Sequence, residues 1–334
     1  MKHYLIINPH SFRTKESIEK IVVDIENSFS TMRDTSYSIY VSRYSRDAIA
    51  AVHRYVSECP EDEIARVYAI GGDGILFDCL NGMVGFPNAE LTSVPYGNDN
   101  DYIRVFGENV YDRFRDLRAL AAAPSRPVDI INCGSNYAMI EAQIGFAGQT
   151  VIYASEIFQR IPEKLLRNNV GIAYTLCALK SIFNNEIMRQ YYTIYLDDEE
   201  VSGNYCHIHI ANTACYGGTM VPNPYARPDK GFLDVLFINT TRKRDIIRTI
   251  GDYNKGHFEK HEFNIHRQCK KIEIKSERLI SVEMDGEGFY AKELKFAIVP
   301  GGIKFFAPED LSIMDYSFKA YKNNPGRVNA DERN

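Results

Sequence analysis

Val67-Tyr68-Ala69-Ile70-Gly71-Gly72-Asp73-Gly74 is a short apolar run that stops at three glycines set around one carboxylate. Beyond it Leu76, Cys79, Leu80 and Met83 recur at i, i+3, i+4 and i+7, the spacing of one helix face. The stretch predicts a strand, a tight glycine turn and a helix. Glycine lets a backbone approach a ligand with no Cβ in the way, and a helix N-terminus presents N–H groups that its own first turn leaves unpaired. That combination suits a phosphate. An isolated Gly-Gly-Asp-Gly serves equally well as a plain strand-to-helix connection, so the choice rests on other parts of the chain.

Outward from this stretch, the N-terminal third alternates apolar runs with helical patterns. Tyr4 to Ile7 reads as a strand, followed by a helix with Ile18, Ile21, Val22, Ile25 and Phe29 on its apolar face. A second strand at Tyr37 to Val41 leads to Ser45 as a helix cap and to a helix through Ile49, Val52 and Val56. Leu91 to Pro95 is a fourth strand, and Val110, Phe114, Leu117 and Ala121 mark another helical face. Alternation of this kind implies a parallel sheet covered on both sides, with ligands beyond the carboxyl ends of the strands. Polar loops lie at three such ends: Asn8-Pro9-His10-Ser11, Gly71 to Gly74, and Pro95-Tyr96-Gly97-Asn98-Asp99-Asn100-Asp101. Together they supply amide donors for phosphate and carboxylates for a divalent cation.

At 334 residues there is room for two domains, and 45% hydrophobic with 25% charged residues is ordinary for a globular chain. A formal charge of -5 argues against nucleic acid as a partner. No apolar run approaches the roughly 20 residues needed to span a bilayer, and Met1-Lys2-His3-Tyr4-Leu5 has no signal-peptide layout. A cytoplasmic protein is expected. The seven cysteines are scattered without any C-x-x-C, so they read as reduced core residues.

Composition changes at Pro124 to Pro127, where an Ala-rich helix gives way to short strands. An α/β domain over residues 1–127, a strand-rich domain over 128–308 and a C-terminal segment over 309–334 are expected, the last returning to the first domain and then polar and mobile. Tyr137 to Ile144, Tyr191 to Leu196, His207 to Ala211, Leu233 to Asn239, Lys271 to Lys275, Ser281 to Met284 and Leu294 to Val299 read as strands of an antiparallel sandwich. A helical insertion places Ile172, Leu176, Leu179 and Phe183 on one face, and another helix follows Thr241. An ordinary core-packed helix is the plain reading of that insertion. His207 and His209 share a strand face, but two ligands make no metal site, and satisfied histidines are expected there.

There is no G-x-x-x-x-G-K-[ST], H-E-x-x-H, G-x-S-x-G or H-R-D, which sets aside P-loop, zincin, α/β-hydrolase and protein-kinase chemistry. What is present is a series: Gly71-Gly72-Asp73-Gly74 with Asn81-Gly82, Pro95-x-Gly97-x-x-Asn100-Asp101, Val128-Asp129-Ile130, Gly231-Phe232-Leu233-Asp234-Val235, and Asp285-Gly286-Glu287. In order and rough spacing this series resembles the diacylglycerol kinase catalytic family, which includes sphingosine and ceramide kinases and is distantly related to NAD kinases.

The resemblance implies a Rossmann-like α/β nucleotide-binding domain followed by an antiparallel β-sandwich, with the active site in the cleft between them. It also implies transfer of the ATP γ-phosphoryl group to a lipid hydroxyl with Mg2+. By position, Asn8, Pro9 and Ser11 match the first ATP-contacting loop and Ser42 a hydroxyl near the nucleotide. Gly71, Gly72, Asp73 and Gly74 match the phosphate cradle, and Gly97 with Asn98 the opposing loop. Asp73, Asp101 and Asp129 match acidic positions that organise nucleotide or Mg2+, and Glu287 matches the general base. Taken alone, Asp285-Gly286 would be a hairpin turn and Glu287 an exposed strand residue. Asp129 alone would be a turn or cap at the domain border.

The chain departs from the family at Phe12, Ile75, Asn98 and Lys230, where relatives carry Gly, Thr, Thr and Asp. The last of these changes removes a carboxylate from a structural magnesium site described for some relatives, and an ammonium cannot replace it. Two alternatives follow: a non-catalytic nucleotide- or lipid-binding protein on the same scaffold, and an enzyme of the NAD kinase kind. The segment Pro162 to Phe183 mixes lysines and an arginine with leucines and isoleucines, and supplies a candidate peripheral membrane contact. Exposed sandwich strands leave room for a homodimer.

Overall fold

The apolar run ending at Gly71 is the strand β3 (Ala65–Gly71), buried along its whole length. It lies between β1 (Lys2–Ile7) and β4 (Ala89–Pro95), with β2 (Ser36–Val41) outside β1, and all three pairings are parallel. The computed structural model describes residues 1–12, 15–30, 32, 35–97, 100–161, 170–218, 220–253, 261–314 and 316. Two units emerge: unit 1 holds Met1–Ile130, Pro228–Lys230 and Val299–Met314, and unit 2 holds Ile131–Arg227, Gly231–Ile298 and Tyr316.

Register decides what unit 1 can present. Ile7 pairs with both Val41 and Ile70, and Ile70 with Val94, so the four strands end at one level. Ser42, Asn8, Gly71 and Tyr96 therefore leave the sheet along one carboxyl edge. The ladder even runs one step further, since Ser42 N–H donates to Ile7 O, Asn8 N–H to Ile70 O and the N–H groups of Tyr96 and Gly97 to Gly71 O. The connections are α1 (Lys15–Phe29), α2 (Asp47–Ser57) and α3 (Asp73–Met83). Helix α3 presses on α2 so closely that a Cβ at Gly82 would meet Ile49 O at 2.7 Å, which accounts for that glycine.

Several local expectations change. Ser45 does not cap α2. The preceding residue of that helix is Arg46 in the left-handed region, and Asp47 closes the turn by accepting from Arg43 N–H and the Tyr40 hydroxyl. The single helix expected over Val110 to Ala121 is two, α4 (Tyr111–Arg115) and α5 (Leu117–Ala122), broken where Asp116 turns extended and caps Ala119 N–H.

β5 (Ser125–Cys133) and β6 (Asn136–Ala138) pair antiparallel, and β9 (Glu199–Glu200) and β10 (Gly203–Asn204) each pair with the strand at 191–196. In unit 2 the sheet is antiparallel. β7 (Glu141–Gly145) lies between β11 (His207–Ala211) and β14 (Lys271–Met284), β12 (Leu233–Ile238) and β13 (Asn264–Cys269) extend one side, and β8 (Tyr191–Leu196) and β15 (Glu287–Phe306) pair with β14. The two strands expected at 271–275 and 281–284 are one, with a register shift between Lys275 and Ile280. β15 runs on past 298 into unit 1, where Lys304 and Phe305 pair in parallel with Glu90 and Leu91 of β4.

Helix α6 (Phe146–Phe158) carried no clear signal because Gly145 and Gly148 interrupt its start. Gly148 is required there: a Cβ would meet Ser281 O at 2.6 Å, so the helix lies directly on β14. Phe146, Cys206, Leu236 and Ile238 form a buried cluster, joined by Ile246 of α9 (Lys243–Tyr253). The helix expected around Ile172 is α7 (Val170–Ile182), followed by the short α8 (Asn185–Met188). Its common face is not core: Ile172, Leu176 and the adjoining Phe183 are about 60% exposed (62, 60 and 62%). Residues 162–169, with Lys164, Leu165, Leu166 and Arg167, lie outside the described residues, as does most of the C-terminal segment.

Candidate active site

The carboxyl edge of unit 1 gathers most of the residues singled out from the sequence. Asn8 caps a 3-10 turn over Pro9–Ser11, its side chain accepting from His10 N–H at 3.0 Å. Ser11 points back at Gly71, where a Cβ would meet Ser11 Oγ at 2.9 Å and Asn8 Cβ at 3.1 Å. Gly72 and Gly97 meet backbone to backbone, and a Cβ on Gly97 would sit 2.3 Å from Gly72 Cα. The glycines thus let three strand ends close on one another, a demand of packing that holds with or without a ligand.

Gly74 is different. Nothing lies within 4 Å of the Cβ it would carry, and it is exposed in the first turn of α3, where helix geometry leaves N–H groups without carbonyl partners. A phosphate has room and donors there. Phe12 and Ile75, two departures from the family pattern, both turn inward: the Phe12 ring lies tilted against Tyr96 with centroids 5.0 Å apart, and Ile75 packs under Gly71. Asn98 lies outside the described residues.

The acids are already engaged by backbone. Asp73 accepts from Asp101 N–H (2.8 Å) and Tyr102 N–H (3.3 Å), which draws the start of a 3-10 turn over Tyr102–Phe106 onto α3. Buried Asp101 faces Arg104 at 3.4 Å. Asn100, with φ 48, ties the loop by donating to Gly97 O at 2.8 Å. Asp129 is buried and accepts from Gly301 N–H at 2.8 Å, while its own N–H donates to Pro228 O. Asp73 and Asp101 are brought together; Asp129 serves a separate junction within the unit. Among the described residues no group of three or more His, Cys, Asp or Glu is arranged to hold a metal. Asp73, with Asp101 on the loop that it holds, is the candidate pair for Mg2+, which keeps several waters and takes phosphate oxygens for the rest.

In unit 2, Asp285-Gly286 is a two-residue hairpin turn with φ 44 and 92, positive at both positions as a type I′ turn requires. Asp285 is more than a turn residue. Its carboxylate is buried and accepts from the N–H groups of Met139 (2.7 Å), Ile140 (3.0 Å) and Glu141 (3.0 Å). Glu287 follows as the first residue of β15, half-buried and opposite Met284. Behind the turn the same hairpin carries Glu283, whose Oε1 accepts from Gly286 N–H.

Sequence reasoning did not reach the polar row around Glu283. Glu141 accepts from Gln143 (2.6 Å) and pairs with His209 Nε2. Burial pushes the His207 and His209 imidazoles down to about 3, so both are neutral at ordinary pH. Burial, and after it the Glu141 charge, pushes the Glu283 carboxyl well above the usual range. The expectation of satisfied histidines does not hold here: His209 meets Glu141 through Nε2 only, and its Nδ1, like both ring nitrogens of His207, is buried without a hydrogen-bond partner among the described residues. The legible signal was polar residues at alternate positions of buried strands: Glu141 and Gln143, His207 and His209, Glu283 and Asp285.

Comparison with known proteins bears on the family and the fold. Residues 2–133 match the diacylglycerol kinase catalytic domain, and residues 155–307 match the YegS C-terminal NAD kinase beta sandwich-like domain. A probable lipid kinase YegS-like protein of Shewanella frigidimarina is 27% identical over 86% of this chain and 90% of its own length. Another, of Chromohalobacter salexigens, is 26% identical over 79% and 82%. The fold is that of a putative diacylglycerol kinase from Bacillus anthracis, with a TM-score of 0.69 at 21% identity over 92% of this chain and 95% of the other. With its two domain matches in series over most of its length, the chain belongs to the diacylglycerol kinase catalytic-domain family, among lipid-kinase-like proteins of the YegS type.

Proposed function

We propose that this protein is an ATP- and Mg2+-dependent lipid kinase that phosphorylates a hydroxyl of diacylglycerol or a related lipid. The observation that carries the reading is the carboxyl edge of unit 1, where a glycine cradle closes by backbone contact while Gly74 keeps the α3 N-terminus open. Backbone N–H groups of that turn take the phosphates. Asp73 and Asp101 are the candidates to hold Mg2+, which when bound neutralises charge on the transferring phosphoryl group. Asp73 also fixes the loop on which Asp101 sits.

Glu287 accepts the proton of the lipid hydroxyl as its oxygen bonds to the γ-phosphorus and the bond from that phosphorus to the β,γ-bridging oxygen breaks. ADP and a phosphomonoester result. Lipid as acceptor is supported by the family and by α7, whose exposed Ile172, Leu176 and Leu179 offer an apolar surface. Lys180 and Lys243 lie nearby over the rings of Tyr153 (3.6 Å) and Phe183 (4.0 Å), in the pattern of a contact with an anionic membrane surface. No described helix is long and apolar enough to cross a membrane.

The test is transfer of labelled phosphate from ATP-Mg2+ to a panel of lipids in mixed micelles, wild type against Glu287→Ala. Transfer to one lipid class that collapses in the variant is the expected result. ATP binding without transfer to any lipid would point to a binding protein on this scaffold, and phosphorylation of NAD instead to the NAD kinase alternative.

A further inference from the structure

Across the β14–β7–β11 sheet, Glu283, Gln143 and His209 are register partners in one row on the face covered by α6. All are at least 95% buried, with Glu141 beside them. The hydrogen bonds of this row do not close with every carboxyl ionised. Gln143 donates its amide to Glu141, which leaves Gln143 Oε1 and Glu283 Oε2 buried and without hydrogen-bond partners among the described residues. Two acceptors side by side repel. Turning the Gln143 amide over only moves the conflict, since its oxygen would then face the Glu141 carboxylate. The row is short of one proton in either orientation. In the tautomer that carries its proton on Nε2, His209 donates to Glu141 and leaves Nδ1 as a buried acceptor, so Glu283 is the place for that proton.

We propose that Glu283 is a neutral carboxylic acid, its O–H closing the row onto Gln143 and its carbonyl oxygen holding the Gly286 N–H, and that it is thereby the positioning residue for Glu287. The inference rests on the assignment of Glu287 as base. Glu287 projects from the opposite face of the hairpin to Glu283, as the pairing of Glu283 with Gly288 and of Met284 with Glu287 requires. Glu283 therefore acts on the base only through the turn. The charged and titratable groups around Glu283 are Glu141 from β7, Asp285 from its own turn, and His209 and His207 from β11. No cation is among them in the described residues. Its ionisation would set a new charge against two carboxylates and loosen the Gly286 anchor, so kcat acquires an alkaline limb that belongs to Glu283.

The experiment combines infrared spectroscopy with kinetics on the full chain. The wild type at neutral pH should show a protonated-carboxyl C=O band that Glu283→Gln lacks. Glu283→Ala should lower kcat by roughly 10²-fold, the scale of a misplaced catalytic group, with the KM for ATP unchanged. Glu283→Gln, which keeps an acceptor for Gly286 and a donor for Gln143, should restore most of kcat and remove the alkaline limb. A wild-type spectrum without the band overturns the inference and leaves the kinase reading intact. So does a fully active Glu283→Ala variant beside a dead Glu287→Ala variant. A live Glu287→Ala variant overturns the base assignment on which the inference stands.

Discussion

Replacing Asp285 tests how the turn that carries Glu287 is held. Its carboxylate accepts three backbone N–H groups, Met139 on Oδ2 and Ile140 and Glu141 on Oδ1, at 2.7, 3.0 and 3.0 Å. Asn keeps one oxygen for two of them but faces a donor against the third, which should cost about 2–3 kcal/mol, the range of one hydrogen bond to a charged group. Ala strands all three buried donors at roughly 1–3 kcal/mol each. It must also hold φ 44, a left-handed conformation that costs a residue with a Cβ about 1–2 kcal/mol. Gly loses the same hydrogen bonds without that strain. The expected order of stability is wild type, Asn, Gly, Ala, with Ala at least ~4 kcal/mol below wild type. Urea unfolding at constant m measures it, and hydrogen exchange at Met139, Ile140 and Glu141 localises it. An Ala variant within 1 kcal/mol of wild type, or one as stable as Gly, would refute the reasoning.

Other perturbations separate packing from ligand binding. Gly74→Ala should raise stability by about 0.5–1 kcal/mol, because the added methyl meets nothing and Ala favours a helix, while weakening ATP binding in a titration. Gly97→Ala, whose methyl would strike Gly72 backbone at 2.3 Å, should lose both stability and ATP binding; a variant that keeps both removes the cradle. Arg66→Met should cost about 3–5 kcal/mol in denaturant unfolding, because it leaves Glu90 buried without its 2.8 Å partner and frees carbonyls of Leu120, Ala121 and Ala123; Glu90→Met in the same chain should recover part of the loss. His3, His207 and His209 are held neutral, at about 4, 3 and 3, so below pH 6.5 the unfolded chain takes up protons that the folded chain refuses. Stability should fall by about 1.4 kcal/mol per histidine per pH unit down to pH 4, and a flat profile across that window would contradict the burial of all three.

The parallel sheet of unit 1 was readable because its central strands β1 and β3 are buried and so carry the apolar runs Tyr4 to Ile7 and Val67 to Ile70, which end at Asn8 and Gly71. Helix α6 was not, since the glycine that lets it lie on β14 is also what breaks its helical pattern. The α7 face was visible as a pattern, but periodicity records that apolar residues share a face and not whether anything covers them. Of the candidate site, the sequence made legible which loops end the strands of unit 1. What each acid does was not, because a backbone N–H donor has no letter in the sequence: Asp73, Asp129 and Asp285 each accept from a main chain that is distant in the sequence.

That shared habit has a mechanistic consequence. A carboxylate that accepts a backbone N–H keeps lone pairs on the same oxygens, so Asp73 can fix the Asp101 loop and still face a cation. Its replacement by Asn would then weaken Mg2+ and shift the loop together, and activity alone could not separate the two effects. Asp285 is buried and carries three such bonds, so its effect on catalysis must run through structure. Between these two cases lies Glu283, which bonds one backbone N–H and has one oxygen that only a proton can satisfy. The acids of the motifs thus divide by what their second oxygen meets, and it is that oxygen which separates a group that binds a cation from one that holds a turn.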